Sequence, residues 1–261
     1  HERIVLNEIS IWSGCEADYS NPDAAESLPQ IRDLLLQGKN AEAQEVMYRR
    51  FVPHKPTDGG TYGSYQTLGD LTITYSNDTD SISDYRRWLD LRTATVHTEY
   101  MSNGAKHSRK YYVSKDCDAM IVEIEAGAKA SLDLEVNLSR AFRCTEEITE
   151  DGLLKISGTL DSGAEKPGMG YAAYAQILTE GKNAVIEEGR VYDADKAWII
   201  ISAATSYFEG DEKYWPKLRK TLIRKEHMQH PYRHIKHCTT ELPYILNQTL
   251  RAHRCLPAKG S

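Results

Sequence analysis

From Tyr65 to Thr205, apolar side chains recur at every second position in short runs. LTITYS, KHSRKYYVS, AMIVEIEA and SLDLEVNLS each alternate or concentrate Val, Ile, Leu, Tyr and Thr, with turn residues between them. Such alternation sends one face of a strand inward and the other into water. YRRWLDLRTATVHTEYMS, LLKISGTL, YAAYAQILT, NAVIEEG and KAWIIISAAT continue the pattern. Ser102-Asn103-Gly104-Ala105 separates two runs, and Asn-Gly accepts the positive φ of a tight hairpin turn. Runs spaced by about 8–12 residues, without helices between them, predict antiparallel sheets rather than βαβ units. The predicted body is mainly β, a large antiparallel β-sandwich (supersandwich) of about ten strands.

Near the N-terminus the pattern differs. ERIVLNEISIW reads as a strand entering a turn, and then helical signals take over. In NPDAAESLPQIRDLLLQGKNAEAQEVMYRRFV, Ile31, Leu34 and Leu35 form an i, i+3, i+4 stripe. Pro29 suits a first helical position and Gly38 a stop. A second helix is expected from about Asn40, with Ala43, Val46, Met47 and Arg50 on one face. The sandwich therefore carries a two-helix insertion over about residues 22–52. VPHKPTDGGTYGSY follows as a loop, by its Pro and Gly.

Composition changes this picture only at the C-terminus. The chain has 261 residues, 40% hydrophobic and 27% charged, the profile of a soluble globular protein. No apolar run approaches the about 20 residues of a membrane span. The opening His-Glu-Arg has no basic start and no apolar h-region, so no signal peptide is read in it. Five cysteines (Cys15, Cys117, Cys144, Cys238, Cys255) lack paired spacing and read as free thiols. Residues 1–222 hold 25 Lys and Arg against 36 Asp and Glu, whereas residues 223–261 hold 7 against 2 and five of the nine histidines. An acidic body thus carries a basic, His-rich tail.

Candidate chemistry in the body is sparse. GGTYG lacks the lysine and spacing of a phosphate loop, and neither Gly-x-Ser-x-Gly nor His-Glu-x-x-His occurs. Asp70, Asp90, Asp133 and Glu135 fall in strand patterns, and the last two share one face, read as solvated. Tyr62, Tyr65, Tyr75, Tyr85 and Trp88 could line a sugar-stacking surface, but period-two placement favours core or cross-strand packing. Cys15 and Cys117 read as inert small hydrophobes. No catalytic residue, metal ligand or cofactor is assigned.

Five stretches taken together carry a family resemblance: ERIVLNEISIWSG, NPDAAESLPQIRDLLLQGKNAEAQE, YQTLGDLTITY, YRRWLDLRTATVHTEY and HSRKYYVSKDCDAMIVEIEA. In this order and with these gaps, residues 2–208 resemble the N-terminal β-sandwich domain of glycoside hydrolase family 95, mostly bacterial α-L-fucosidases with some α-L-galactosidases. The resemblance implies a sandwich ahead of a catalytic (α/α)6 helical barrel, which would hold the groups for an inverting attack on a fucosidic bond. It implies as partners that barrel and, through the parent enzyme, a fucosylated or galactosylated glycan; neither nucleic acid nor membrane is expected. Parent enzymes of this type are expected to be secreted or periplasmic. The Gly-rich strand pair that precedes ERI in the family is missing, and no barrel can be built after residue 208, so a fragment without activity of its own is expected. Asn7, Glu8, Trp12, Tyr65, Gln66 and Asp70 are the candidates for substrate-binding or barrel-facing residues, being loop-end polar and aromatic positions in the most family-like stretches. The alternative is that they cap turns and fill the core edge. An uncovered barrel-facing surface and an unpaired edge predict self-association.

The end of the chain departs from this resemblance. Residues 209–222 read as the start of the linker to the barrel, and 223–261 as a non-homologous tail. His227, His230, His234 and His237, with Cys238, could share a helix face as metal ligands, but Pro231 breaks that helix. We read the tail as an out-of-frame translation. Shifted by one base, Met228–Gln229 must encode Ala and His237–Cys238 must encode Leu. An ordinary basic tail and a His/Cys metal site are the other readings. For the whole chain, a stand-alone carbohydrate-binding module is the alternative function. A nucleic-acid role for the tail is disfavoured by the acidic body.

Overall fold

The computed structural model describes residues 1–15, 20–52, 63–76, 82–114 and 118–207. The readings placed on Tyr62, Cys117, the linker and the histidine tail lie outside these residues. The described part divides into two compact units, one of residues 1–11, 67–158 and 170–207, the other of residues 12–66 and 159–169.

The larger unit is the predicted sandwich-like pair of antiparallel sheets. In chain order its strands are β1 (Glu2–Leu6), β2 (Gly69–Tyr75), β3 (Ile82–Asp90), β4 (Thr95–Ser102), β5 (Ala105–Ser114), β6 (Ala119–Glu125), β7 (Leu132–Ser139), β8 (Thr145–Ile148), β9 (Leu154–Thr159), β10 (Gly170–Glu180), β11 (Val185–Glu187), β12 (Arg190–Ala194) and β13 (Lys196–Thr205). The first sheet has five strands in the order β1-β2-β7-β12-β11, and the second has eight in the order β3-β4-β5-β6-β13-β10-β9-β8. Thirteen strands replace the ten expected because β8 and β12 lie outside the runs read as strands and turn chemistry cuts one run in two. Asp90 Oδ1 accepts the Arg92 amide at 2.9 Å and Ala94 takes φ 49°, which splits YRRWLDLRTATVHTEYMS into β3 and β4. Glu188 and Gly189, with φ 46° and 83°, turn the chain between β11 and β12. The Asn103-Gly104 hairpin forms as read, with φ 51° and 75° and Ser102 opposite Ala105.

Alternation places the core. Along β7, Leu132, Leu134, Val136 and Leu138 are buried, while Glu135 and Asn137 between them are exposed. Asp133 and Glu135 do share the outer face. Asp133 Oδ1 accepts the Asp193 amide at 2.9 Å, and Glu135 pairs with Arg190 at 3.4 Å. The eight-stranded sheet buries residues on both faces. Ile199 and Ile201 of β13 point one way, and Trp198 the other, where it packs with Tyr112 and Ile121.

The smaller unit holds the two-helix insertion, α1 (Ala24–Leu36) and α2 (Asn40–Arg50). One expectation fails here: Pro29 lies inside α1, not at its first position. The helix starts earlier because Asn21 organises its entry, its Oδ1 accepting the Asp23 amide at 3.0 Å and its carbonyl the Ala24 amide at 3.1 Å. Two alanines, the best helix formers, then follow. Gly38, at φ 73°, ends the helix as predicted.

Candidate functional site

The candidate residues fall into two groups of three, one in each unit. In the sandwich unit, β1 ends at Leu6 and the chain turns through Asn7, which is exposed, and Glu8. The Ile11 amide donates to the Glu8 carbonyl at 3.2 Å and closes the turn. Glu8 Oε2 accepts both the Ser10 amide (2.8 Å) and the Ser10 hydroxyl (2.6 Å). With its proton on Glu8, Ser10 Oγ accepts from Thr205 Oγ1, 2.5 Å away, and Thr205 Oγ1 accepts the Tyr207 amide at 3.4 Å. Ser10 and Thr205 are buried. This relay fastens the first turn of the chain to the end of β13, 195 residues later. Glu8 is therefore a clamp inside the sandwich unit. Ser10→Ala should remove the link and leave the Thr205 hydroxyl buried without its acceptor, a loss of about 1–3 kcal/mol. Urea unfolding measures it, and a variant as stable as the parent would show that water substitutes for the relay.

Asp70 stands opposite Val5 and accepts from Arg3 at 2.9 Å. Arg3 is mostly exposed, so this pair on the outer face contributes little to stability.

In the smaller unit, Trp12 and Tyr65 form a single bridge pair, their rings edge to face at 5.6 Å and 64°. The Ser13 amide donates to the Ser64 carbonyl and the Ser64 amide to Ser13 Oγ, each at 2.9 Å. Gly63 is needed beside them, since a Cβ there would lie 2.2 Å from the Ser13 carbonyl oxygen. The Gly14 amide reaches the Asp161 carbonyl at 2.7 Å, so three chain segments meet. Trp12 and Tyr65 still expose 47% and 44% of their surface, and Gln66 is half-buried.

Of the wider aromatic set, the three in the sandwich unit have separate surroundings. Tyr75 lies beneath Arg109 in the sandwich, the guanidinium 3.9 Å from its ring centre. Tyr85 is exposed on β3, and Trp88 stacks on His97 at 4.8 Å and 5°.

Sequence reasoning passed over the most unusual chemistry of the sandwich, a charged cluster between its sheets. Arg109 of β5 is buried and pairs with Glu2 of β1 at 3.0 Å. It also donates to the Tyr100 hydroxyl at 2.7 Å, and Tyr111 donates to the other Glu2 oxygen at 2.5 Å. Burial pushes the Tyr111 hydroxyl far above its ordinary value, and the Glu2 charge adds to the shift. Burial likewise pushes Tyr75 up, with Arg109 pulling it partway back. The signal was available in KHSRKYYVS, where Arg109 shares the parity of the buried Tyr111. Among the described residues, no group of three or more His, Cys, Asp or Glu is placed to hold a metal ion.

Residues 1–210 match the family described as "Glycosyl hydrolase family 65, N-terminal domain". The chain belongs to that family. The match runs past Thr205, the last residue of β13, and so takes in every described strand. The resemblance read from the sequence, to the N-terminal sandwich of a fucosidase-type glycoside hydrolase, is borne out, although the matching description carries the number 65 in place of 95. "Alpha-L-fucosidase 2" of Arabidopsis thaliana is 32% identical over 232 residues, covering 80% of this chain and 27% of that protein. "Probable alpha-fucosidase A" of Aspergillus oryzae is 25% identical over 268 residues, covering 90% of this chain and 35% of that protein. The chain thus spans between a quarter and about a third of the length of these curated relatives.

Proposed function

We propose that this glycosyl hydrolase N-terminal domain is the accessory sandwich of an α-L-fucosidase-like enzyme, and that it braces a catalytic (α/α)6 barrel supplied elsewhere in the parent protein. One observation carries the reading: a family match spanning the whole described sandwich, joined to relatives named as fucosidases. The substrate of the parent would be a fucosylated or galactosylated glycan. In this reading residues 1–208 are the sandwich domain, 209–222 lead to the barrel, and 223–261 are a non-homologous tail. Asn7, Trp12, Tyr65 and Gln66 are the residues proposed to meet the barrel or the rim of its site, because their side chains are exposed or half-buried beside hydrogen-bonded turns. Glu8 instead clamps its own unit, and Asp70 pairs with Arg3 on the outer face of its sheet.

A fucosyl chromogenic substrate provides the test. The purified chain should release no chromophore above the buffer rate, while the full-length parent should turn the substrate over. Turnover by this chain alone would refute the accessory role. Retention of the chain on a fucosylated affinity gel would instead favour an independent carbohydrate-binding module.

A further inference from the structure

The eight-stranded sheet ends in β3, and among the described residues β3 pairs with β4 alone. This edge is apolar for its position: Ile82, Tyr85 and Leu89 expose 55%, 60% and 55% of their surface. An unpaired edge offers its backbone N–H and C=O groups to another strand, and the charges along it select which strand can pair. The ladder is interrupted between Ser83 and Arg86, where Asp84 adopts φ 53°, so the longest uninterrupted pairing runs over residues 86–90.

Those five residues, Arg86-Arg87-Trp88-Leu89-Asp90, are complementary to their own reverse. A two-fold axis through Trp88 sets Arg86 opposite Asp90 of the second copy, and Asp90 opposite Arg86 of the second copy. Trp88 meets Trp88 between the two ion pairs. Alternation puts Arg86, Trp88 and Asp90 on one face of the strand, so the two charge pairs and the aromatic pair would form side by side. Centring on Arg87 instead would oppose that cation to itself. Trp88 is already held for the role, stacked on His97 and covered by the Arg86 guanidinium 4.7 Å from its ring centre. Arg86 is anchored in turn by Glu99, whose carboxylate accepts its Nε at 2.9 Å.

We propose that β3 is a homodimer contact, in which two copies join their eight-stranded sheets edge to edge, antiparallel and centred on Trp88. The occupant is a second copy of this chain because the charge order of the strand matches itself. Five residues of strand pairing bury less than the about 1,200 Å² of a standard stable interface, so the dimer should be a weak, micromolar one.

Sedimentation equilibrium on the full chain between about 1 and 300 µM should show monomer passing to dimer. Arg86→Glu and Asp90→Arg should each weaken association by tenfold or more, since each sets like charges opposite one another twice. Mixed in equal amounts, the two variants should regain the parental affinity, because both opposed pairs become complementary again. Arg86→Glu loses the Glu99 pair and Asp90→Arg loses the Arg92 amide, but recovery on mixing depends on positions 86 and 90 facing each other, so it reports even where either variant loosens its own neighbour. A monomer throughout the range would overturn the proposal and leave the edge to another part of the parent protein. A dimer indifferent to both reversals, or unrestored by mixing, would place the contact elsewhere and overturn it as well.

Discussion

Replacing Arg109 with Leu is expected to destabilise the sandwich by about 3–5 kcal/mol, because it strands the Glu2 carboxylate between the two sheets. Arg109 is 9% exposed, and its guanidinium meets Glu2, the Tyr100 hydroxyl and the faces of Tyr75 and Tyr100. Without it, Glu2 keeps only the Tyr111 hydroxyl as a named donor. Breaking one side of a buried pair costs more than removing both, since an uncompensated charge in a poor solvent is the expensive state. The double substitution Arg109→Leu with Glu2→Leu should therefore recover more than half of the loss. For a unit of this size the single variant should melt about 10 °C lower. Thermal unfolding followed by circular dichroism provides the measurement. A single variant within about 1 kcal/mol of the parent would mean that water reaches the cluster.

Alkali is expected to unfold the domain through its buried tyrosines. Tyr75, Tyr111, Tyr112 and Tyr171 all have hydroxyls pushed well above the ordinary tyrosine range, in each case by burial foremost. Glu2 adds to the shift at Tyr111, Glu123 at Tyr112 and Cys144 at Tyr171. A group whose folded value is raised contributes its full stability below its unfolded value, near pH 10 for tyrosine, and loses it as pH climbs toward the folded value. Each such tyrosine then costs about 1.4 kcal/mol per pH unit, so four together remove about 5 kcal/mol per unit. That slope meets the about 5–15 kcal/mol stability of an ordinary domain within one to three pH units. The cooperative part of the tyrosinate absorbance change should coincide with the loss of the circular dichroism signal above about pH 11. Complete tyrosinate formation with the fold intact would show that these rings are open to water.

Local order was legible in advance wherever it depended on neighbours in sequence. The period-two run SLDLEVNLS became β7 because alternation decides which side chains leave water, and the apolar runs of β5, β6 and β13 became strands that bury residues on both faces. The helical insertion, the stop at Gly38 and the Asn103-Gly104 hairpin followed from equally local preferences. One run crosses a turn that its residues do not announce: Asp90 before Arg92 lacks the Asn-Gly signature, and its role rests on a carboxylate accepting a nearby amide. β12 falls outside the runs, beyond the left-handed Glu188-Gly189. Pro29 misled for a related reason: it suits a first helical turn, yet Asn21 opened the helix earlier.

The candidate site was legible only as a set of stretches. Glu8 belonged to the right turn, but its duty as a clamp depends on Thr205, which no local pattern could place beside it. Trp12 and Tyr65, distant in sequence, are a bridge pair brought together by the hydrogen bonds of Ser13 and Ser64.

By itself the sequence determined the class of fold, the faces of its strands, the helical insertion and, through the order of its blocks, the family. Tertiary structure decided which of two sheets each strand joined, how Glu2 came to meet Arg109 across 107 residues, and which strand was left at an edge. The physical reason is one of range. Hydrophobic alternation and turn preferences act over a few residues, whereas the partner of a buried charge is chosen by the packing of whole sheets, where leaving that charge alone is the costliest option.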